Sequence, residues 1–448
     1  MREVDAVVIG AGPGGYETAM ELGRGGMNTL LIDRAKERIG GTCLNEGCIP
    51  AKLYLECATY ASRGAYFGGC GLDVQIGKLD LGMLKEKKKA LLDELRSGIV
   101  WGLDQAGVEF MEGNAAFVDA RTLEVSGEKI GFKTCVIATG SVFRGVPNLP
   151  QDGRRIISSK EVFEMERLPA SIAILGGGAI GCEMASFFSA FGVEVTLIQR
   201  RERLLPSEDA EVAKALMREF KKRGIRVLSG TTLEEAVAGE EGVELRLGGE
   251  NPETIRCGIL LCATGRSPYS EGLELEKAGV IRDAKGFIGV NGYLQTSQPH
   301  IYALGDCIDT PAYAHTAYFE ASIAAHTILH GPQRANTPIT PSVVFTHPQI
   351  ASCGLSEEEA KERGVEVEVR KAYFKVNSKA KIYGDDAGFA KIVTDAQSGV
   401  ILGASIIGAD ATEIIHEMVV AVEKKISLQE LKSLIHAHPT VSEIVRFL

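Results

Sequence analysis

The sequence lacks several features that would place it in a specialised class. It has no run of roughly 18 apolar residues, so it predicts no transmembrane helix. Basic residues are fewer than acidic ones, and the net charge of −10 argues against nucleic-acid binding. Ten cysteines in 448 residues are too few for a disulfide-stabilised scaffold. The first residues, MREVDAVVIGAG, lack the layout of a secretion leader. We therefore expect a cytoplasmic globular protein.

Glycine is abundant instead, with 52 residues, and a three-glycine motif occurs twice. Residues 4–33 and residues 171–199 each read as an apolar strand, a glycine turn, an amphipathic helix and a second apolar strand. The second strands end at the same offset from the motif, at Asp33 and at Gln199. The motif glycines are Gly10, Gly12 and Gly15 in the first copy, and Gly176, Gly178 and Gly181 in the second.

The repeated unit predicts two dinucleotide-binding sites. In such a unit the first glycine makes a tight turn, the second lets the backbone approach a pyrophosphate, and the third packs the helix on the strand. One G-x-G-x-x-G motif is a weak signal, but two motifs that each join a strand to a helix are a strong one. The alternative is a pair of ordinary turns in an α/β protein. Two dinucleotides in one chain indicate electron transfer between them.

The remaining patterns are those of a mixed α/β protein. A linker that contains prolines at 332–341 separates them from a C-terminal segment, where strand and helix patterns alternate as in an α+β domain. The lysine-rich run at 85–89 is expected to be a solvated helix face. The patterns before the linker predict a helix pair at 78–107, hairpins at 123–132 and 243–256, and strands at 135–141, 259–268 and 296–306.

The segment GGTCLNEGCIPAK, residues 40–52, holds two cysteines with four residues between them, Cys43 and Cys48. If Cys43 lies in the first turn of a helix, the two can form a bridge only where the helix is distorted, and Gly47 and Pro50 supply the irregularity. A thiolate near a helix N-terminus is stabilised and reactive. The alternatives are two buried free thiols or half a zinc site, although no second pair stands at zinc spacing. Next to a dinucleotide unit, the segment favours a redox-active disulfide.

These segments together resemble the flavoprotein disulfide reductases, the class I pyridine nucleotide-disulfide oxidoreductases. The resemblance covers essentially the whole chain and is greatest to the dihydrolipoamide dehydrogenase branch of that family. Besides the first glycine motif and the cysteine segment, it is carried by ATGR at 263–266, ALGDC at 303–307 and HAHPTVSE at 436–443. It implies FAD and a nicotinamide as cofactors.

The resemblance also implies a domain plan within the α/β fold class. Two Rossmann-like domains bind the dinucleotides, and a C-terminal α+β interface domain forms a homodimer. The FAD-binding domain spans 1–142 and returns at 265–336. The NAD(P)-binding domain spans 143–264, and the interface domain spans 337–448. No metal site is expected.

By resemblance, Cys48 is the thiol that faces the flavin and Cys43 is the thiol that exchanges with the substrate. His438 and Glu443 match an acid–base pair that reaches across the dimer interface, which leaves a structural role for His436. Lys52 and Glu183 match an ion pair beside the flavin ring. The further positions implied to contact cofactors are Asp33, Thr42, Gly140, Gly265, Asp306 and Ala314.

The sequence departs from the family pattern at three positions. Ala179 stands where a bulky residue often shields the flavin, and Glu46 places a negative charge between the redox cysteines. Gln199 stands where NAD-specific members carry an acid, and the basic residues Arg200, Arg201 and Arg203 follow it. We therefore expect NADP(H) to be accepted, with Arg200 as the main contact of the 2′-phosphate. The alternative is that Gln199 binds the ribose of NAD.

The predicted function is the oxidation of free or protein-bound dihydrolipoamide through the Cys43–Cys48 disulfide and FAD, with reduction of NAD(P)+. Its partner would be a lipoyl-carrying protein of a 2-oxoacid dehydrogenase or glycine cleavage complex. The alternative enzyme is an NADPH-dependent reductase of another disulfide, such as glutathione disulfide. A binding subunit that keeps FAD without turnover is disfavoured because both cysteines, His438 and Glu443 are present.

Overall fold

A computed structural model describes residues 2–73, 78–147, 149–334 and 338–448. The chain divides into two compact units. The first unit consists of the described parts of 1–51, 85–144 and 265–337. The second unit consists of the described parts of 52–84, 145–264 and 338–448. Two helices, which cover residues 48–69 and 81–105, run across the boundaries between these segments.

The first unit contains one seven-stranded sheet, a separate two-stranded sheet formed by its segments 141–143 and 266–268, and several helices. Its strands are β1 (Arg2–Ile9), β2 (Thr29–Asp33), β3 (Glu109–Glu112), β4 (Ala115–Asp119), β5 (Thr122–Val125), β6 (Glu128–Ile137), β7 (Ser141–Phe143), β16 (Arg266–Pro268) and β17 (Ile301–Ala303). Its helices are α1 (Pro13–Arg24), α2 (Gly41–Glu46), most of α4 (Leu81–Gln105) and α8 (Ala314–His330).

The second unit contains the remaining elements. Its helices are α3 (Cys48–Gly69, which begins in the first unit), α5 (Ser159–Val162), α6 (Ala179–Ala190), α7 (Ala210–Lys222), α9 (Glu357–Glu362), α10 (Ser378–Tyr383), α11 (Ala411–Glu423) and α12 (Leu428–Ser433). Its strands are β8 (Ile156–Ser158), β9 (Ser171–Leu175), β10 (Glu194–Ile198), β11 (Arg226–Leu228), β12 (Thr231–Ala238), β13 (Val243–Gly249), β14 (Glu253–Cys257), β15 (Ile259–Cys262), β18 (Ser342–Val344), β19 (Gln349–Gly354), β20 (Val367–Tyr373), β21 (Phe389–Asp395) and β22 (Ile401–Gly408).

The sheet of the first unit has the order β3-β2-β1-β6-β5-β4, and β17 pairs with β6. Strands β1, β2, β3, β6 and β17 are parallel, whereas β4 and β5 form antiparallel hairpins beside them. Strand β1 ends in an unbroken buried run, Ala6 to Ile9, because a central parallel strand is covered on both faces. Helix α1 connects β1 to β2, and the first glycine motif therefore lies at the carboxyl end of β1.

The second unit holds a parallel sheet, β11-β10-β9-β15-β8, and an antiparallel sheet, β18-β19-β22-β21-β20. Helix α6 joins β9 to β10, which repeats the arrangement of the first unit. The meander β12-β13-β14 forms a separate three-stranded sheet. In the C-terminal segment, α11 packs on β19 and β22, and its buried positions include Ile415 and Met418. The predicted α/β class with a C-terminal α+β segment is confirmed.

Several details differ from the sequence-based expectations. Residues 81–105 form one helix rather than part of a helix pair at 78–107, because no proline interrupts this stretch; the long helix that precedes it is α3. Lys88 is buried, so the run at 85–89 is not wholly solvated. Pro50 lies in the first turn of α3, where proline is tolerated, and the helix break is at Gly47 alone.

The structure leaves the predicted linker and the predicted domain boundaries untested. Part of the predicted linker lies in 335–337, outside the described residues. No helix in the described parts of the chain is long and apolar enough to cross a membrane. The boundaries of the three predicted domains stay predictions.

Candidate active site

The first glycine loop has the shape that a dinucleotide requires. Gly10 has φ +100°, and a Cβ there would lie 2.4 Å from the Ala138 carbonyl oxygen. A Cβ on Gly15 would lie 1.7 Å from the Gly10 oxygen, so both positions need glycine for packing. Gly12 is the N-cap of α1, and a Cβ there would meet only the Gly41 Cα, at 3.9 Å. Space at Gly12 next to a helix N-terminus is what close approach of a pyrophosphate needs.

Asp33 ends β2 beside this loop. Its Oδ2 accepts a hydrogen bond from the Ala11 amide at 2.7 Å, and its Oδ1 accepts one from the Arg34 amide at 2.7 Å. These bonds hold the carboxylate next to the glycine turn. The side chain is only half-buried, so its remaining lone pairs can accept bonds from the hydroxyls of a ribose. The residues of this loop therefore fit FAD.

The redox segment begins against the same loop. A Cβ on Gly41 would lie 2.6 Å from the Gly12 Cα, so α2, which carries Thr42 and Cys43, starts in contact with the glycine turn. The helix breaks at Gly47, and α3 begins at Cys48. At the break the backbone folds back, since a Cβ on Gly47 would be 2.9 Å from the Thr42 oxygen and 3.4 Å from the Cys43 Cα. This brings the backbone of Cys43 next to the residue that precedes Cys48.

The two cysteines differ in their surroundings. Cys43 is half-buried within α2, whereas Cys48 is exposed as the first residue of the long helix α3. The N-terminal end of a helix stabilises negative charge, which favours a thiolate at Cys48. The charge of Glu46 between them is offset, because the Arg38 guanidinium lies 2.9 Å from its carboxylate. The Asn45 side chain further stabilises the segment by donating a hydrogen bond to the Gly41 carbonyl at 2.8 Å.

Asp306 is held by two residues from distant parts of the first unit. The Ser141 hydroxyl donates to its Oδ2 at 2.5 Å, and Arg266 Nε donates to the same hydroxyl oxygen at 2.7 Å. Burial lowers the pKa of Arg266, and the charge of Asp306 counteracts that shift. The adjacent turns use Gly140 at φ +68° and Gly265 at φ +107°. Sequence reasoning identified Asp306, Gly140 and Gly265 but missed Ser141 and Arg266.

Two tyrosines near the redox segment were also missed. The hydroxyls of Tyr16 in α1 and Tyr318 in α8 are 2.5 Å apart. Burial raises the pKa of both phenols, and the charge of Cys43 adds to the shift in each. Both stay protonated at neutral pH and can donate hydrogen bonds. Tyr318 follows Ala314, the first residue of α8, by one helical turn, and the only sequence signal was its place in AHTAYFE.

In the second unit, Lys52 and Glu183 form the predicted ion pair. The Lys52 ammonium is 3.1 Å and 3.2 Å from the two carboxylate oxygens of Glu183, which is buried. It also lies 4.5 Å from the ring centroid of Phe345, whose amide donates to Glu183 Oε1 at 3.0 Å. The ring and amide of Phe345 complete this arrangement, and sequence reasoning did not identify them.

His438 and Glu443 are paired as the sequence predicts. Nδ1 of His438 lies 3.0 Å from both carboxylate oxygens of Glu443, while 67% of the His438 side chain is exposed. The Thr440 amide and then the His438 ring lower the pKa of Glu443, so it stays ionised at neutral pH. The carboxylate thus fixes the proton on Nδ1 and leaves Nε2 to accept one. His436 instead pairs with Glu417 at 2.8 Å, and its side chain is almost fully buried.

The second glycine loop repeats the geometry of the first. Gly176 has φ +115°, and a Cβ there would lie 2.3 Å from the Ala263 oxygen. A Cβ on Gly181 would lie 1.9 Å from the Gly176 oxygen, whereas none of the described atoms lies within 4 Å of a Cβ on Gly178, the N-cap of α6. Ala179 is the first residue of that helix. The loop fits a second dinucleotide.

The Gln199 side chain is hydrogen-bonded to its own loop and to the second glycine turn. It is buried, its Nε2 donates to the Arg203 carbonyl at 3.2 Å, and its Oε1 accepts from the Gly177 amide at 3.5 Å. Arg200 is exposed, and within the described residues its side chain makes no hydrogen bond or ion pair. Its side chain is therefore available to a ligand. In the described part of the chain, no three His, Cys, Asp or Glu residues form a group that could hold a metal ion.

Comparison with known proteins matches nearly the whole chain to one family. Residues 4–321 match the model of the pyridine nucleotide-disulphide oxidoreductases, and residues 340–447 match the dimerisation domain of the same family. The chain is 38% identical to a dihydrolipoyl dehydrogenase of Chlorobaculum tepidum, over 99% of this chain and 96% of that one. It is 34% identical to a dihydrolipoyl dehydrogenase of Trypanosoma brucei brucei, over 99% of this chain and 95% of that one.

A similar solved structure is RclA, an HOCl-induced flavoprotein disulfide reductase from Escherichia coli. The TM-score is 0.89 at 26% sequence identity, and the match covers 99% of this chain and 98% of that one. The similarity therefore extends beyond the dihydrolipoyl dehydrogenases to a flavoprotein disulfide reductase.

Proposed function

Because the chain belongs to the pyridine nucleotide-disulphide oxidoreductases, we propose that it oxidises dihydrolipoamide, free or protein-bound, to lipoamide with reduction of NAD(P)+. The chain is an oxidoreductase that acts on sulfur groups, and it uses FAD and a nicotinamide nucleotide. The observation that carries the proposed substrate is the full-length similarity to dihydrolipoyl dehydrogenases at 32–38% identity. A cytoplasmic location stays a prediction.

The reaction begins with a proton transfer. A substrate thiol has a pKa of about 8.5, so a base must remove its proton before it can attack a disulfide. Nε2 of His438 takes this proton, since Nδ1 is held by Glu443. The Glu443 carboxylate stabilises the positive charge that forms on the imidazole.

Thiol–disulfide exchange follows. The substrate thiolate attacks the sulfur of Cys43, the Cys43–Cys48 bond breaks, and Cys48 leaves as a thiolate at the start of α3. The second substrate thiol then attacks the substrate sulfur bound to Cys43, the bond to Cys43 breaks, and Cys43 leaves and takes up the proton of that second thiol. Lipoamide leaves with a ring disulfide, and two protons and two electrons have passed to the enzyme.

FAD supplies a two-electron carrier between the cysteine pair and the nicotinamide when it is bound. Lys52 and Glu183 would lie beside its ring, as the resemblance implies. The residues that would hold FAD are Gly10, Gly12, Gly15, Asp33, Thr42, Gly140, Asp306 and Ala314. Those that would hold the nicotinamide nucleotide are Gly176, Gly178, Gly181, Gln199, Arg200 and Gly265.

We also infer a homodimer in which His438 serves the cysteines of the partner subunit. The chain carries a dimerisation domain at 340–447, and His438 lies within it. An imidazole that is 67% exposed in one chain gains a defined environment when a second chain covers it. The lipoyl carrier would be a component of a 2-oxoacid dehydrogenase or glycine cleavage complex.

For the nicotinamide, we propose that NADP(H) is accepted. A carboxylate at the end of β10 would repel a 2′-phosphate, and Gln199 carries no charge. Arg200, exposed one residue later, can bind the phosphate with its planar guanidinium. The same observation favours the second candidate function, an NADPH-dependent reductase of another disulfide.

Steady-state kinetics separate the two functions. We expect kcat/KM for dihydrolipoamide to exceed that for reduction of glutathione disulfide by at least about a hundredfold, the span that a site built for one substrate achieves. Each reaction is measured with both nicotinamides, and Cys43→Ser serves as the inactive control. Faster reduction of glutathione disulfide than turnover of either lipoamide form would favour the reductase and contradict the lipoamide assignment.

A further inference from the structure

The segment that follows β10 contacts the C-terminal part of the second unit through polar side chains at three of its positions. Glu208 accepts hydrogen bonds from the hydroxyls of Ser342 and Ser352 at 2.6 Å and 2.7 Å. Asp209 is 2.9 Å from Lys391, and both side chains are 3% exposed. The third contact joins Arg203 to Glu358 in α9, where Nη1 and Nη2 each lie 3.4 Å from Oε2.

The buried lysine fixes the position of α9. Lys391 contacts Asp209, Glu211 at 3.0 Å and Glu357 at 2.8 Å. Removing one member of such a buried group leaves an uncompensated charge, so the arrangement resists change. Glu357 is the first residue of α9, and Glu358 is the next. The cluster therefore sets where the Glu358 carboxylate stands relative to Arg203.

Arg203 lies in the loop after β10 that also carries Gln199 and Arg200, the residue proposed to bind the 2′-phosphate. Its carbonyl accepts the hydrogen bond from Gln199, and the Leu205 amide donates to the Gly177 carbonyl at 2.8 Å, so residues 203–205 lie against the second glycine turn. The Arg203 guanidinium is engaged by Glu358 and by the Pro206 carbonyl at 3.2 Å. Of the three arginines after Gln199, this one is held by a carboxylate.

We propose that Glu358 is a specificity-determining residue for the nicotinamide, because it holds Arg203 in an ion pair and so withholds that cation from the 2′-phosphate of NADP(H). The inference rests on the proposed acceptance of NADP(H). Glu358 acts in the place of the acid that is absent at position 199, but from another segment of the chain. The pair is partly exposed, so it should change the Kd for the 2′-phosphate only a few-fold, and salt should weaken the effect.

Binding of two adenosine fragments to the FAD-loaded enzyme tests the proposal without turnover. The probes are adenosine 2′,5′-bisphosphate and 5′-AMP, which differ by the 2′-phosphate, and titration calorimetry gives their Kd values. Glu358→Gln should bind the bisphosphate about two- to tenfold more tightly at low salt, with no change for 5′-AMP. Glu362→Gln, which removes the same charge from an exposed position of the same helix, should leave both Kd values unchanged.

A double variant isolates the role of Arg203. In an Arg203→Gln background, Glu358→Gln should no longer tighten bisphosphate binding. The proposal is overturned if Glu358→Gln binds the bisphosphate no more tightly than the native enzyme, if Glu362→Gln has the same effect, or if the gain persists without Arg203. These outcomes are independent of the sulfur substrate, so a failure to oxidise dihydrolipoamide would contradict the proposed function and leave this result standing.

Discussion

Both carboxylate oxygens of Glu443 lie 3.0 Å from Nδ1 of His438, and Glu443 is buried while the imidazole is exposed. The carboxylate also accepts a hydrogen bond from the Thr440 amide at 3.0 Å and lies 3.4 Å from the Arg446 guanidinium. The Thr440 bond and then the His438 ring hold the pKa of Glu443 below its usual value. Glu443 therefore stays ionised across pH 5–8, about the range in which a histidine titrates, and orients the ring throughout.

Glu443→Gln should lower kcat for dihydrolipoamide by about a hundredfold, since an amide oxygen can accept the hydrogen bond from Nδ1–H but carries no charge to stabilise the imidazolium. Oxidation of the reduced nicotinamide by ferricyanide, which needs no substrate thiol, should stay near the native rate. The matched control is Glu417→Gln, which removes the carboxylate from His436 and should leave dihydrolipoamide turnover unchanged. Equal losses in both variants, or loss of the ferricyanide reaction, would contradict the assigned roles.

Subunit mixing tests whether the site is shared. Cys43→Ser and His438→Ala are each expected to be inactive as homodimers. After statistical exchange, half of the dimers are heterodimers with one intact site of two, so about a quarter of native activity should return. Exchange is verified by mass spectrometry of differently tagged chains. No recovery despite exchange would mean that Cys43 and His438 act within one chain.

The two open glycines give a reciprocal test of the dinucleotide sites. Gly12→Ala should fold, because its Cβ would meet only the Gly41 Cα at 3.9 Å, but should lose FAD, measured as the ratio of flavin to protein absorbance. Gly178→Ala should keep FAD and raise KM for the nicotinamide by at least about tenfold. Each variant is the control for the other. A Gly12→Ala enzyme with a full complement of FAD would remove the first loop from the cofactor site.

Glu357 makes stability depend on acid pH. Lys361 and then Lys391 lower the pKa of Glu357 to about 2, below an unfolded value near 4.3. The stabilisation is therefore fully present above about pH 4.3 and is lost as the pH falls towards 2. Allowing for solvent screening, it amounts to about 1–2 kcal/mol at pH 7.

The expected result is a Tm for Glu357→Gln that lies a few degrees below the native value at pH 7, with a difference that shrinks as the pH falls below about 4. Glu362→Gln, on the same helix, should match the native enzyme at every pH. A Tm difference that does not change with pH would mean that the loss comes from packing rather than from the charge of Glu357.

Local patterns in the sequence were sufficient to predict the two glycine loops and the bend between Cys43 and Cys48. In each case the deciding residues lie within one strand–turn–helix unit, where spacing fixes geometry. The pairing of His438 with Glu443 was likewise within reach, because the two are five residues apart in a recognisable segment.

Contacts between distant segments could not be predicted from local sequence patterns. Arg266 reaches Ser141 and through it Asp306, and Tyr318 reaches Tyr16, because separate strands and helices converge in the fold. No periodicity in the sequence pairs Arg203 with Glu358, 155 positions away. The apolar period of residues 78–107 predicted helical structure but could not show that residues 81–105 form a single helix. In this helix Gly102 meets Met20, where a Cβ would lie 2.8 Å from the sulfur.

Gln199 has a consequence for anyone who wishes to redesign this enzyme. Its Nε2 supplies the proton for the hydrogen bond to the Arg203 carbonyl. Restoring an acid by Gln199→Glu would remove that donor and place a charge at a buried position. The same exchange that should select the nicotinamide would therefore also loosen the loop that carries Arg200 and Arg203. Cofactor choice and loop conformation are coupled here, so engineering one requires compensating changes in the other.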